Sequence, residues 1–380
     1  METKKQRFVA LDVVRGLCIL FVWINFNVGT KTYPFLAHGD WADFRLIDWP
    51  FGGFILCMGF AMFFGLKHFD KIDGAFIKKL LIRSFALIGV GLCLYYTSGF
   101  LTYLNKGEGA QSFVLAFKNL RLCGIFQRLG FVYLMAGLIV ILAKKNVKLL
   151  SIISGSILFA YLFILGFGHG YEFSSSNVCY IVDNAIFTSG HLYSMTINGV
   201  TLTLDPEGLL SCLPCIAQAL FGFVVAKLYF SYKDKKGANL SLFALSAILI
   251  IAAILLSPFC PIIKKTWTTS YAILTSGITL MLISLVAFFT MNEPHDKTLF
   301  FFKVLGTKSL TNYVICALIA YMFKFIPING QGINLWINQG FNSMCMGNEY
   351  VGSLIYTFMF VGVDFLVAWL FYKKKWFIRL

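Results

Sequence analysis

The chain has 380 residues, of which 58% are hydrophobic and only 13% charged, with a mean hydropathy of +0.78. Soluble domains carry about 25% charged residues, so this composition excludes an ordinary soluble enzyme and points to an all-α polytopic membrane protein. A formal charge of +15 would suit a nucleic-acid partner, but the basic residues fall where membrane loops carry them, so lipid is the expected partner and nucleic acid is not.

A helix that crosses a bilayer needs about 20 mostly apolar residues. Ten segments qualify, approximately 9–29, 49–66, 84–104, 122–143, 149–168, 208–230, 240–257, 268–290, 310–326 and 351–372. The N-terminal "METKKQRF" and the apolar run behind it resemble a signal peptide in outline. Asp12 and Arg15 interrupt that run and no small-residue cleavage site follows, so the segment reads as a retained first helix. No internal repeat, pair of broken helices or soluble domain is visible, and residues 1–380 are treated as one transmembrane bundle.

Ten helices place both termini on one side. With the N-terminus in the cytoplasm, the inner loops hold 21 basic residues and the outer loops 8. The inner set includes Lys4, Lys5, Arg7, Lys67, Lys71, Lys78, Lys79, Arg83, Lys144, Lys145, Lys297, Lys308 and Arg379. Basic residues concentrate on the cytoplasmic side of membrane proteins, so the expected topology is N-in/C-in. The segment "YPFLAHGDWADFRLIDWPF" at 33–51 is then the first external loop.

Ionisable groups inside a bilayer are costly and mark function by default. Asp12 and Arg15 lie three apart on the first helix and share a face, either as a structural ion pair or as the wall of a polar cavity. Asn25 and Asn27 stand further along the same helix, and Asp364 is alone in the last one. Arg121 and Arg128 are seven residues apart, two helical turns, with Gln127 beside the second. In "LDPEGLL", Asp205 and Glu207 flank Pro206, which suits either a helix start or a vestibule for a cationic ligand. Trp267 and Tyr271 open the eighth segment, where aromatic-belt anchoring is the plain explanation.

Among the histidines, His38 is the one flanked by carboxylates and an aromatic, with Asp40, Trp41 and Asp43 close by. Imidazole is the side chain best suited to base or nucleophile chemistry near neutral pH. His68 and His295 fall on the cytoplasmic side, and His169 and His191 lie in the long loop at 169–207. No histidine pair has metal-ligand spacing, and no metal is expected. Seven of the ten cysteines sit in or beside apolar runs, with Cys179, Cys260 and Cys345 in expected loops. "CLPC" at 212–215 copies the spacing of a redox pair without the soluble fold such a pair belongs to.

Read in order, "RFVALDVVRG", "WIN", "HGDW", "DWPFGGFILCMG", "GIFQRLGFVY", "LDPEGLLSCLP", "KKTWTTSYAILTSG" and "GTKSLTNY" resemble successive blocks of the heparan-α-glucosaminide N-acetyltransferase family, including its bacterial transmembrane members. The blocks run from residue 7 to residue 313. The resemblance implies transfer of acetyl from cytosolic acetyl-CoA to the amine of a terminal glucosamine, free or on a glycosaminoglycan fragment, across the membrane. It implies His38 as the catalytic histidine, with Asn25 or Asn27 as its partner asparagine. Arg15, Lys78, Lys79, Arg83, Gln127 and Arg128 are then expected at the acetyl-CoA, and Asp40, Trp41, Asp205, Glu207, Trp267 and Tyr271 at the acceptor. The expected location is the bacterial inner membrane, with a homodimer left open. Two alternatives stand beside this reading: a membrane O-acyltransferase of cell-wall or lipid-linked glycans, and a transporter.

Overall fold

The computed structural model describes residues 8–290, 299–328 and 330–376; Lys4, Lys5, Arg7, His295, Lys297 and Arg379, named above, lie outside them. Fourteen α-helices are present among the described residues: α1 (Val9–Phe26), α2 (Trp49–Leu66), α3 (Gly74–Asn105), α4 (Gln111–Lys118), α5 (Ile125–Leu142), α6 (Val147–Phe167), α7 (Val178–Phe187), α8 (Cys212–Ser231), α9 (Lys235–Leu256), α10 (Thr269–Thr290), α11 (Phe300–Thr307), α12 (Ser309–Phe325), α13 (Ile333–Met344) and α14 (Glu349–Lys374). Two small antiparallel hairpins complete the fold, β1 (Met195–Ile197) with β2 (Val200–Leu202) and β3 (Pro327–Ile328) with β4 (Gln331–Gly332).

All ten apolar segments are helical, and the protein is an all-α, multi-pass membrane protein. Among the described residues, eight helices are long and apolar enough to cross a bilayer, namely α1, α2 (from Leu46), α5, α6, α8, α9, α10 and α14. The segment expected at 84–104 lies within α3, whose 32 residues extend about 48 Å at 1.5 Å per residue. Its start is fixed by the Asp73 carboxylate, which accepts from Phe76 N at 2.8 Å. The segment expected at 310–326 is half of a broken span: α11 and α12 meet at Lys308 with a bend of 88°. The sequence reading anticipated no such break; the polar run Thr307-Lys308-Ser309 is where it falls.

Burial sorts the helices. About 72% of α8 is buried against 22% of α6 and of α9, so α8 is central while α6 and α9 turn most of their surface outward to lipid. The center is held by close backbone approaches at glycines. A Cβ on Gly59 of α2 would stand 2.0 Å from Ala219 O of α8, and one on Gly306 of α11 would stand 1.6 Å from Asp12 O of α1. Lipid supplies no hydrophobic drive between helices, so such small-residue contacts carry the packing. Gly59→Val should therefore lower the thermal midpoint in detergent markedly, by the roughly 1–3 kcal/mol or more of an overpacked contact. Gly65→Val, on the same helix with nothing within 4 Å of the added Cβ, should leave it nearly unchanged.

The long connection between α6 and α8 is structured, holding α7 and the β1–β2 hairpin. Cys179, expected in a loop, lies on α7 and is buried; Cys260, also expected in a loop, is buried too. Cys212 and Cys215 are buried free thiols whose Sγ atoms donate to Gly208 O and Ser211 O, so they are small core residues. Asp205 and Glu207 do not cap α8, which begins only at Cys212.

Candidate active site

The first external loop is folded down onto the bundle. Leu36 and Ile47 are buried and pin two short 3-10 turns, Pro34–Leu36 and Leu46–Asp48. Between them the chain turns back on itself at Gly39, where a Cβ would meet Asp43 O at 2.1 Å, so the "HGD" turn needs a residue without one. The Arg45 guanidinium clasps the turn, donating to His38 O at 3.2 Å and to the Asp43 carboxylate at 3.1 Å.

His38 Nδ1 lies 2.6 Å from Asp48 Oδ1. Asp48 is 3% exposed, and its other oxygen accepts from Arg45 N at 3.1 Å and Gly39 N at 3.3 Å. The Lys264 ammonium reaches the same Oδ1 at 3.2 Å. A carboxylate so placed accepts the proton of a neutral ring at Nδ1, which leaves the lone pair on Nε2. Burial lowers the imidazole pKa below its ordinary value, Asp48 opposes that, and the Lys264 and Lys265 cations add to the depression. His38 is therefore neutral at pH 7 and able to take a proton or attack a carbonyl.

His38 opens onto a cavity of about 560 Å³, whose wall also holds Asn25, Asp40, Asp48, Gln127, Glu207 and Lys264. Asn25 is exposed to this space, and no hydrogen bond joins its side chain to the described residues. Asn27 is different: it is buried, donating to Trp23 O at 3.0 Å and to Asp364 Oδ2 at 3.1 Å. Of the two asparagines left open by the sequence, Asn25 is thus the one that faces the histidine's cavity. Asn27 and Asp364 form a buried tie between α1 and α14.

A second cavity, of about 350 Å³, begins at the opposite end of the same helices. Arg15 and Arg83 line it together with Thr307, Lys308 and Ser309 at the break between α11 and α12. Arg15 Nη2 donates to Ser309 Oγ at 2.5 Å, and the Arg83 guanidinium lies 4.6 Å from the center of the Tyr133 ring. Both cavities are lined by Val22, Phe51, Ile125, Phe126 and Tyr313, so they meet at an apolar waist. A basic cavity and the cavity of the Asp48–His38 pair thus lie end to end, with this apolar layer between them.

Several residues expected at a ligand lie elsewhere. Trp267 and Tyr271 are fully buried; Trp267 stacks on the Arg128 guanidinium at 4.9 Å, and Tyr271 donates to Asp48 O at 2.7 Å. They support the site from behind. Trp41 turns away from the cavity, donating to Tyr171 O at 2.7 Å and packing on Phe173. Arg128 is 1% exposed and grips the turn before α8, donating to Pro206 O at 2.9 Å and Gly208 O at 3.1 Å, and also to Ser211 Oγ. It belongs to the half of the bundle that holds His38, away from the basic mouth. Lys78 and Lys79 are exposed on α3 outside the basic cavity, and Lys79 donates to Gly65 O at 2.7 Å.

Asp205 is buried in a two-pronged pair with Arg121, at 2.8 and 2.6 Å. Burial alone would raise its carboxyl pKa, but the guanidinium outweighs it and holds the group below the usual range. Arg121 also reaches Glu207 at 2.5 Å and lies between the Tyr95 and Tyr193 rings. Of the "DPEG" acids only Glu207 lines the cavity.

Four contributors escaped the sequence reading. Asp48, ten residues from His38 and at the start of α2, is the carboxylate that orients the ring. Lys264 arrives from a loop more than 200 residues away, and spacing carries no sign of that. Lys308 and Ser309 enter the basic cavity only because the helix breaks there. Among the described residues no group of three or more His, Cys, Asp or Glu side chains is placed to hold a metal ion.

No family model matches the chain. Two curated proteins are similar to it. The heparan-alpha-glucosaminide N-acetyltransferase of Mus musculus is 24% identical over 432 aligned positions, covering 99% of this chain and 61% of that protein. The protein of the same name from Homo sapiens is 23% identical over 329 positions, covering 73% of this chain and 48% of that protein. The chain thus spans roughly half to three-fifths of the length of these relatives, and the family resemblance read from its motifs extends along nearly all of it.

Proposed function

We propose that this protein is a transmembrane N-acetyltransferase that moves acetyl from acetyl-CoA, entering at the basic mouth, to the amine of a terminal glucosamine on the far side. The observation that carries this reading is the meeting of two cavities at one waist, with cations at one end and the Asp48–His38 pair at the other. A multiply charged nucleotide does not cross hydrocarbon unaided. A thioester arm long enough to pass the waist brings the acetyl group to His38 while the nucleotide stays at the basic mouth. By the bias of basic residues toward the cytoplasm that mouth faces the cytosol, in a bacterium across the inner membrane.

The chemistry follows from the side chains on the cavity wall. His38 Nε2 takes the proton from the acceptor's ammonium, and the freed amine attacks the thioester carbonyl. Asn25 donates to the oxygen as negative charge develops on it. The attacking nitrogen gives up its remaining extra proton to water, the carbon–sulfur bond breaks, and the CoA thiolate leaves by the way it came and is protonated in water. Glu207 and Asp40 offer carboxylates to an amino sugar in the vestibule. In a covalent variant of the same path, Nε2 itself accepts the acetyl group and passes it to the amine.

Purified protein given labeled acetyl-CoA and a panel of amino sugars should yield N-acetylated product. Products formed on sugar hydroxyls would favor the O-acyltransferase alternative. The broken helix at Lys308 is a feature shared with transporters, whose substrate sites lie at such breaks. Uptake of amino sugar into sealed vesicles without acetylation would favor that reading instead. Within the acetyltransferase reading, Arg83→Gln should raise the KM for acetyl-CoA roughly tenfold, the scale of one lost charge-assisted contact. The same change should leave the KM for S-acetyl-N-acetylcysteamine, which has no phosphates, unaffected in steady-state assays.

A further inference from the structure

Two lysines beside a histidine that has to accept a proton are an unexpected pairing, because a nearby positive charge disfavors protonation. Lys264 and Lys265 line the His38 cavity from the connection between α9 and α10. That connection is firmly built. Cys260 and Ile263 are fully buried, Thr268 Oγ1 accepts from Ile263 N at 3.0 Å and donates to Pro261 O at 2.8 Å, and Ser270 Oγ donates to Pro261 O at 2.9 Å. The two ammonium groups it presents act on different atoms. Lys265 Nζ donates to Gly39 O at 2.6 Å and to Asp40 O, which ties down the turn that carries His38. Lys264 Nζ lies 3.2 Å from Asp48 Oδ1 and 3.2 Å from His38 Nδ1.

The Nδ1 proton faces Asp48, so Lys264 donates to the carboxylate, and Nζ and Nδ1 meet as two donors. A carboxylate alone at 2.6 Å from a ring nitrogen stabilizes the imidazolium, the form that cannot act as a base. An ammonium on the same oxygen offsets that pull, because a second proton on the ring would put two cations 3.2 Å apart. The remaining charges around the ring are matched or stand in solvent. Asp43 pairs with Arg45, Glu207 pairs with Arg121, and Asp40 is exposed. Burial is the largest cause of the lowered His38 pKa, and Lys264 is the stronger of the two cations that add to it.

We propose that Lys264 is a positioning residue that completes a His38–Asp48–Lys264 line, its ammonium fixing the Asp48 carboxylate and offsetting the carboxylate's charge so that the ring stays a free base. Asp48 can then orient the ring without drawing a second proton onto it. The start of α10 holds the same aspartate again, through the Tyr271 hydroxyl on Asp48 O at 2.7 Å, so carboxylate and cation keep their register. The effect on acetyl transfer rests on the acetyltransferase reading. The effect on the ring's ionization does not.

Diethyl pyrocarbonate acylates the neutral imidazole, so its rate of reaction at His38 against pH measures the free-base fraction. The product is read in the full-length protein by mass spectrometry of the tryptic peptide 32–45, which holds no other histidine. In Lys264→Met the midpoint should rise by about one pH unit, the scale of a contact charge partly screened at a side chain 40% exposed. Lys264→Gln should repeat that rise, Lys265→Met should give a smaller one, and Lys264→Arg, which keeps the charge, should stay near the wild type. Acetyl transfer to glucosamine should follow, with kcat/KM in Lys264→Met roughly tenfold lower on the acid limb and less than about threefold lower at pH 8.5. The acceptor's own ionization is common to all these proteins, and transfer at pH 8.5 together with the thermal midpoint in detergent reports that a variant is folded. An unchanged His38 midpoint in folded Lys264→Met would overturn the inference, as would an equal rise in Lys264→Arg. A wild-type midpoint above about 6.5 would overturn it even if no variant folds. Absence of transfer by the wild-type protein would instead overturn the acetyltransferase reading and leave the ionization result standing.

Discussion

His38→Ala should reduce acetyl transfer by roughly 10²–10⁴-fold, the range that a positioned proton-transfer group supplies. The protein should stay folded, because the His38 side chain is about 40% exposed and its bond to Asp48 is one of several that the carboxylate makes. The wild-type pH profile carries the same information. The neutral ring is the active form and its pKa lies below the ordinary value of about 6.5. Activity should therefore rise with pH along an acid limb centered below that value and level off by neutrality. His38→Gln, which keeps polarity but cannot take the proton, should behave like the alanine variant. Full activity in either variant would remove His38 from the chemistry. Acid-labile label retained on His38 after acetyl-CoA alone would establish the covalent route, and its absence would leave direct transfer.

Asp48→Asn should be nearly as damaging to kcat, by about 10²–10⁴-fold, for a different reason. An asparagine at 2.6 Å from Nδ1 can present its amide N–H there, which moves the ring proton to Nε2 and removes the lone pair that the reaction needs. The KM for acetyl-CoA should hardly change, since Asp48 stands in the His38 cavity, beyond the waist from Arg15 and Arg83. The sign of the pH effect is also fixed. The Asp48 carboxylate raises the His38 pKa against burial and the two lysines, so its loss should move the acid limb of the residual activity to lower pH. Steady-state kinetics with a pH profile would check both parts. A kcat within about threefold of wild type would show that the carboxylate does not set the tautomer.

The histidine was legible because its surroundings were unusual. A polar loop between two apolar segments stands out in a chain with 13% charged residues, and the "HGDW" context tied it to a family. The choice between its neighboring carboxylates was not legible. Asp40 and Asp43 are closer in sequence, but Asp43 pairs with Arg45 at the surface, while Asp48 is buried under the ring. Sequence proximity does not say which way a side chain points once a loop folds over Gly39. Trp267, Tyr271 and Arg128 were expected at a ligand, yet their interactions are with Gln218, the Asp48 backbone and the turn at 206–208. Large polar or aromatic groups near a site often support it from the core, and composition alone does not separate support from contact.

The sequence by itself determined the membrane fold and the run of ten apolar segments, and it singled out His38 as the candidate histidine. Hydropathy over about 20 residues and local polarity are properties of contiguous chain, and both can be read without folding it. Tertiary structure alone decided that Asn25 faces the cavity while Asn27 is tied to Asp364, and that Lys264 joins Asp48. It also decided that a break at Lys308 helps form a basic mouth, and that two cavities share a waist. Each of these depends on which faces of distant helices meet, and that is set by close approaches such as Gly59 on Ala219 and Gly306 on Asp12, which leave no periodic trace in the chain.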